Sequence, residues 1–218
     1  MAIFIGLLAL CTAGIPHMVS AIPGPIDLAQ DAKDATTYPL IQGYFRVEAR
    51  ILSLENPRGT TRNMVPCDIA RPGACDTQVF AVIDWKTPNY DFGKDSVPYT
   101  NYEKIFDGSG TSSVNINKTI TKDVCNDSTR KLNLRVRAVD RDFVGENTID
   151  HWSGFIYTTN RPADSQAQAM WSPVQTTSGH NGSHKIRWQY RWYFIPREQC
   201  QASSGSSGII SRFVPFVG

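Results

Sequence analysis

The chain has 218 residues, and its 22 basic side chains nearly balance its 20 acidic ones, which leaves a formal net charge of +2. That balance argues against nucleic acid as the main partner, because nucleic-acid binding depends on a strongly positive surface. The length is sufficient for one good-sized domain with its own hydrophobic core.

Residues 1–21 have the pattern of a signal peptide. They contain no Lys, Arg, Asp or Glu, Ile3–Cys11 form an apolar run, and the small residues Val19 and Ala21 occupy the positions that a signal peptidase recognises. A membrane-spanning helix needs roughly 20 apolar residues, and Pro16 interrupts this run too early. We therefore expect a secreted, extracellular protein.

The segment 22–42 is rich in Pro and Asp and has no periodicity, which predicts a linker before the folded domain. The domain itself is expected to span residues 43–200. Its apolar residues alternate or run together in six segments that predict strands: 44–51, 79–85, 114–120, 132–138, 153–158 and 186–194. A polar loop is expected over Asp140–Asp150, and the Ser- and Gly-rich segment 201–218 is expected to be a flexible tail.

This spacing of short strands and turns, without a helix of comparable quality, predicts an all-β fold. We expect an antiparallel β-sandwich of about eight strands.

The cysteines indicate an oxidising compartment. After loss of Cys11 with the signal peptide, four remain: Cys67, Cys75, Cys125 and Cys200. An even number in an exported protein predicts two disulfides, for which three pairings exist. The turn between Cys67 and Cys75 favours a local bridge, which leaves Cys125 for Cys200. A zinc site is disfavoured because no Cys-x-x-Cys pair is present.

Three sequons agree with export. Asn117, Asn126 and Asn181 each begin an Asn-x-Ser/Thr triplet without Pro in the middle, so we expect a glycoprotein modified at these positions. Alternation in the strand at 114–120 places Asn117 on the solvent face.

Short motifs follow one another in an informative order. They are Gly43-Tyr-Phe-Arg-Val-Glu-Ala, Asn56-x-x-Gly59, Cys75-Asp-Thr, Asp91-Phe-Gly, Val97-Pro, Leu134-Arg-Val-Arg-Ala-Val-Asp140, Ser153-Gly-Phe-Ile and Tyr190-Arg-Trp. This order resembles the amino-terminal C2-like (MNNL) domain of Notch ligands of the Delta, Jagged and Serrate type. Two cysteines that the family usually has are replaced by about Ile83 and Tyr90, and no Cys-rich DSL module or EGF repeat follows.

The resemblance implies a binding module that engages a Notch receptor or co-receptor ectodomain and modulates Notch signalling. Receptor or lipid contacts are then expected from two loops, Asn56–Arg62 and Asp140–Asp150. The candidate contact residues are Asn56, Arg58, Arg62, Asp140, Asp142, Asn147 and Asp150.

A calcium- and phospholipid-binding C2-like module is the first alternative. Asp140, Asp142 and Asp150 supply the oxygen ligands that Ca²⁺ prefers, and they occupy the place of a C2 calcium loop. The loop after the first strand offers only Glu55, beside Arg58 and Arg62, so solvated turn residues are the simpler interpretation. We otherwise expect no cofactor.

Two further interpretations concern the surface. Lys185, Arg187, Arg191 and Arg197 form either a basic stripe for lipid headgroups or sulfated glycans, or the ordinary solvent-exposed face of a sandwich; alternation puts the first three on one face of the last strand. A structural matrix protein built on the same sandwich is the remaining alternative.

Catalysis finds no support in the sequence. There is no Gly-x-Ser-x-Gly elbow, the cysteines are expected to pair, and His180 and His184 flank a turn, which leaves only His151 beside Asp150. We expect a protein that is not an enzyme.

Overall fold

The computed structural model describes residues 25–68, 73–93, 96–142, 145–159, 161–180 and 182–200, with side chains from residue 29 onward. The predicted signal peptide at 1–21, the predicted tail at 201–218 and Asn181 lie outside these residues. One helix and eight strands follow in order: α1 Pro25–Thr37, β1 Ile41–Glu55, β2 Thr77–Asp84, β3 Glu103–Gly108, β4 Val114–Thr129, β5 Lys131–Asp142, β6 Gly145–Tyr157, β7 Gln175–Ser178 and β8 Lys185–Phe194. Short 3₁₀ turns occupy Tyr99–Asn101 and Arg197–Gln199.

The strands form two four-stranded sheets, in the orders β4-β1-β8-β7 and β3-β2-β5-β6. Every neighbouring pair is antiparallel. The antiparallel β-sandwich of about eight strands that the sequence predicts is therefore confirmed.

The core lies between the two sheets and is built by period-two alternation. Along β1, Phe45, Val47, Ala49 and Ile51 are fully buried. The facing sheet contributes Leu132, Leu134, Val136 and Ala138 from β5, and Trp152 of β6 and Trp188 of β8 fill the space between the layers.

The structure contains two strands that the sequence does not predict. β3 and β7 are edge strands whose residues are all exposed or half-buried, so they lack the apolar period that marks a covered strand. The predicted polar loop at Asp140–Asp150 is wrong for a similar reason. β5 continues to Asp142 and β6 begins at Gly145, and the two strands pair antiparallel, so these residues belong to a β-hairpin.

The segment 22–42 differs from the expected linker, because it contains α1 and the first residues of β1. Asp34 in α1 is buried and accepts hydrogen bonds from Lys131 Nζ at 3.0 Å and Asn89 Nδ2 at 3.1 Å. Tyr38, just after the helix, stacks on Tyr157 at a centroid distance of 4.3 Å. These tertiary contacts hold a helix that has no strong apolar stripe of its own.

Both predicted disulfides are confirmed, in the favoured pairing. Cys67 is bonded to Cys75 within the β1–β2 connection, and Cys125 of β4 is bonded to Cys200 beyond β8. Within the described residues, no helix has the length and apolar character needed to cross a membrane.

The predicted glycosylation positions that the structure describes are exposed. Asn117 and Asn126 both lie in β4 at register shifts against β1, with φ of 50° and 52°. Asn tolerates this left-handed backbone better than most residues, which suits it to a β-bulge. Modification at these residues stays a prediction.

Candidate functional site

Four connections meet at one end of the sandwich, which we call the loop end: the β1–β2 connection at 56–76, the β3–β4 turn at 109–113, the β5–β6 turn after Asp142 and the β7–β8 turn at 179–184. Main-chain hydrogen bonds join them. Thr111 N donates to Cys75 O at 2.7 Å, Arg141 N donates to Asp76 O at 2.9 Å, and Arg62 N donates to Thr148 O at 3.0 Å. The β1–β2 connection is thus held by the β3–β4 turn and by the ends of strands β5 and β6.

Asp140 is the centre of an acidic cluster at the loop end. Its side chain is 1% exposed. Its Oδ1 accepts a hydrogen bond from the Asp76 main-chain N–H at 2.6 Å, whereas its Oδ2 has no hydrogen-bond partner among the described residues. A buried carboxylate oxygen without a donor is costly unless a cation or a proton neutralises it.

Three further carboxylates act on Asp140. Burial raises its pKa, and the charges of Asp142, Asp76 and Asp68 raise it further, although the hydrogen bond from Asp76 N opposes this. Asp76 is oriented by the β3–β4 turn, because its Oδ1 accepts hydrogen bonds from Ser109 Oγ at 2.6 Å and Gly110 N at 2.7 Å. The mutual repulsion of these groups favours a bound cation.

The donor set suits a hard cation rather than zinc. Both sulfurs of the Cys67–Cys75 bridge lie with a carboxylate oxygen of Asp140 in a group within 4.8 Å. The sulfurs are joined in a disulfide, so they offer no thiolate to zinc. The carboxylates of the acidic cluster (Asp68, Asp76, Asp140 and Asp142) are the ligands that Ca²⁺ takes.

Sequence reasoning found only half of this cluster. It proposed Asp140 and Asp142, and it looked for the complementary acids in Glu55–Arg62. The structure instead brings Asp68 and Asp76, from the far end of the same connection, toward them. A usable signal was present, because an Asp directly follows each of the two cysteines of the local bridge. Asn147 lies beside the cluster, where its Nδ2 donates to Asp142 Oδ2 at 3.1 Å.

Asp150, the third predicted ligand, has other partners and does not complete this set. It is fully buried, its Oδ2 is 3.0 Å from His184 Nδ1, and it accepts hydrogen bonds from the main-chain N–H groups of His151 and His180. Burial by itself raises its pKa, but these hydrogen bonds lower it overall. The carboxylate is therefore part of a structural network.

That network continues into the β1–β2 connection and forms the floor of a cavity. His184 Nε2 is 3.1 Å from Thr60 Oγ1. The cavity, of about 410 Å³, lies between the β1–β2 connection and the β7–β8 turn. We call it the basic pocket, and the described residues that line it are Asn56, Pro57, Arg58, Thr60, Met64, Gly182, Ser183, His184 and Lys185.

Arg62 lies on the other side of the β1–β2 connection, next to His151. Its Nη1 donates to His151 Nδ1 at 3.3 Å, which leaves the proton on Nε2 to be donated to Tyr99 Oη at 3.2 Å. The imidazole also stacks on Phe92, with ring centroids 4.7 Å apart. Burial, reinforced by the charges of Arg62 and Arg137, lowers the pKa of His151 to about 4, so this ring is neutral at physiological pH.

The tip of the β1–β2 connection carries two neighbouring apolar side chains. Thr61 N donates to Val65 O at 2.8 Å, which closes a tight turn, and Met64 within it has φ of 63°. Met64 and Val65 are 38% and 52% exposed. The loop end thus combines carboxylates, cations and an apolar tip.

Comparisons with known proteins identify a solved structure with substantial sequence identity to this chain. No family model matches the chain, and no curated protein matches its sequence. A solved C2 domain protein from Ramazzottius varieornatus is 42% identical, with a TM-score of 0.72, over 77% of this chain and 98% of that one.

Two further structures match at much lower similarity. Human GIVD cytosolic phospholipase A2 is 13% identical with a TM-score of 0.46, over 72% of this chain and 18% of that one. A Drosophila C2-DSL-EGF1 structure is 14% identical with a TM-score of 0.42, over 68% of this chain and 67% of that one.

Proposed function

The chain belongs to the C2 domain family, as its 42% identity to the solved C2 domain protein shows, and on that premise we propose that it is an extracellular, non-catalytic module that binds anionic membrane surfaces through Ca²⁺. The observation that carries the proposal is the buried, unpartnered Oδ2 of Asp140 among the carboxylates of the acidic cluster. These carboxylates would hold the ion, whose remaining coordination positions would accept headgroup oxygens.

The rest of the loop end supports a membrane partner. Met64 and Val65 are adjacent, apolar and exposed at the tip of the β1–β2 connection, so they can enter the headgroup region when the ion is bound. Arg58 on the same connection adds a positive charge that attracts anionic lipid. The two disulfides support an extracellular location, where they persist.

Vesicle flotation tests the proposal. Vesicles of phosphatidylcholine with phosphatidylserine are mixed with the protein in Ca²⁺ or in EGTA. We expect wild-type protein to float only with Ca²⁺, and Asp140→Asn to lose at least about tenfold in apparent affinity, or about 1.4 kcal/mol, because it removes one negative charge from the cluster. Asp164→Asn is the matched control, because Asp164 is exposed and pairs only locally with Arg161. Equal flotation of wild type in Ca²⁺ and EGTA would overturn the proposal.

Binding to a Notch receptor or co-receptor ectodomain is a second candidate function. The order of the motifs between Gly43 and Trp192 favours it, and so does the pairing of β8 beside β1, with the Asn56–Arg62 loop and the end of the β5–β6 hairpin at the same end of the sandwich. A pull-down with EGF-repeat fragments of the receptor tests it. Retention that Arg58→Ala weakens would support this candidate, and no retention at tens of micromolar protein would refute it.

A further inference from the structure

The basic pocket is separate from the acidic cluster. Asp76 contacts the β3–β4 turn through Ser109 and Gly110, whereas Thr60 contacts the β7–β8 turn through His184. The two features therefore contact different turns, and they approach each other at Asn56, whose Nδ2 lies 3.6 Å from Cys75 Sγ. They also differ in charge, because the basic pocket is lined by Arg58 and Lys185, and no described residue that lines it is acidic.

The floor of the basic pocket is built from buried hydrogen bonds. Asn56 Nδ2 donates to Thr60 O at 2.9 Å, and Thr60 N donates to Asn56 Oδ1 at 3.0 Å. His184 is held between Thr60 and Asp150 and is fully buried. A ligand would thus meet a preformed surface and would not have to order it, which lowers the cost of binding.

The positive charge of the basic pocket continues beyond its rim. Lys185 and Arg187 occupy alternate positions on β8 and so share its outer face, and Arg187 is exposed. Glu55 is the cross-strand partner of Lys185 and carries the opposite charge, but it does not line the pocket. Arg191, further along the strand, is neutralised by Glu48 at 2.6 Å. Cations are thus concentrated at the pocket end of β8.

We propose that the basic pocket binds a sulfated sugar unit of an extracellular glycan, without Ca²⁺, as a second function that shares Arg58 and Met64 with the membrane contact described above but uses none of the carboxylates of the acidic cluster. Arg58 and Lys185 would bind the sulfate oxygens, since a guanidinium offers a planar fork of donors to such an anion. Ser183 would bond the sugar hydroxyls, and Met64 would contact the apolar face of the ring. The chain of the glycan would then continue along Arg187.

Size and charge favour this ligand over a free anion. A volume of about 410 Å³ is in the range of small-molecule sites and far exceeds that of a sulfate or phosphate ion. A single ion would leave the outer cation Arg187 unused, and it would not contact both the Ser183 hydroxyl and the Met64 thioether, which lie 3.5 Å apart at the pocket wall. A sulfated oligosaccharide uses all of them.

Calorimetry in EGTA tests the proposal with a heparin-derived tetrasaccharide as the probe. We expect wild type to bind, and the double variant Arg58→Gln/Lys185→Gln to bind at least about tenfold more weakly. Glu55→Gln should tighten binding about two- to threefold, because it removes the negative charge opposite Lys185. Arg161→Gln is the matched control, since Arg161 is exposed and distant in the chain from the pocket, and it should change nothing. Thermal unfolding checks that each variant is folded.

Several results would overturn the proposal. They are equal binding of the chemically desulfated tetrasaccharide, unchanged affinity of the double variant, and binding to phosphoinositide vesicles in EGTA without binding to the tetrasaccharide. The last result would assign the pocket to a lipid headgroup. Competition by inorganic sulfate at micromolar concentration would assign it to a free anion. Asp140→Asn should keep full tetrasaccharide binding, so failure of the Ca²⁺ proposal and failure of this one are distinguishable.

Discussion

His184 Nδ1 lies 3.0 Å from Asp150 Oδ2, and both side chains are fully buried at the loop end. Asp150 belongs to β6, His184 ends the β7–β8 turn, and His184 also contacts Thr60 of the β1–β2 connection. One imidazole therefore joins a strand and two connections that are far apart in the sequence. Gly179 makes the close approach feasible, because a Cβ there would lie 2.0 Å from Asp150 Oδ2.

Replacing His184 by Ala should destabilise the fold by about 3–5 kcal/mol, because it removes the side-chain partner of the buried carboxylate of Asp150, which keeps the main-chain donors of His151 and His180. Equilibrium unfolding in urea measures the loss. His180→Ala is the control, because His180 is exposed, and it should change the free energy of unfolding by less than about 0.5 kcal/mol. A similar effect of both substitutions would contradict the structural role of the pair.

His151 should titrate with a pKa of about 4 in the folded protein. The unfolded value is about 6.5, so the folded state resists protonation of this ring. Its contribution to stability is complete above about pH 6.5 and is lost as the pH falls toward 4. The NMR chemical shifts of the ring protons follow the titration directly. Arg62→Gln should raise the midpoint, because it removes a neighbouring positive charge, and a wild-type midpoint near 6.5 would refute the prediction.

Removal of one disulfide should mainly lower the stability of the fold, and removal of the other should mainly lower the affinity for Ca²⁺. In the chain-entropy model, the Cys125–Cys200 bridge, which spans 75 residues, contributes about 4.5 kcal/mol, and the Cys67–Cys75 bridge, which spans 8, about 2.5 kcal/mol. Cys67→Ala/Cys75→Ala should nevertheless weaken Ca²⁺ binding more, because Asp68 and Asp76 directly follow these cysteines. Urea unfolding and Ca²⁺ calorimetry on both double variants measure the two effects. Equal loss of Ca²⁺ affinity in both would contradict this assignment.

Asp34→Ala should detach α1 and destabilise the protein by about 3 kcal/mol, because it leaves the ammonium group of Lys131 buried with too few partners. Burial raises the pKa of Asp34, but hydrogen bonds from Lys131, Asn89 and Gln30 lower it overall, so the carboxylate is charged at neutral pH. Hydrogen exchange should show lost protection at the amides of α1, whereas Asp164→Ala should leave it unchanged. Retained protection in Asp34→Ala would show that other contacts hold the helix.

Burial of one strand face could be predicted from local pattern alone. Phe45, Val47, Ala49 and Ile51 alternate with polar residues, and the hydrophobic effect places them inside whatever the strand order is. β3 and β7 could not be predicted from the sequence, because an edge strand is held by main-chain hydrogen bonds and needs no apolar face. Helix α1 could not be predicted for a related reason, since it is stabilised by the contacts of Asp34 and Tyr38 with residues distant in the sequence.

By itself, the sequence determined that this protein is an all-β sandwich with two disulfides, because alternation, turn residues and cysteine spacing act locally. The composition of the acidic cluster was decided by the tertiary structure, which brings Asp76 within a hydrogen bond of Asp140, 64 residues away. The same holds for the basic pocket, whose floor joins Thr60 to His184 across 124 residues. Strand order and register bring these residue pairs into contact, and both depend on the packing of the whole sandwich rather than on any single segment.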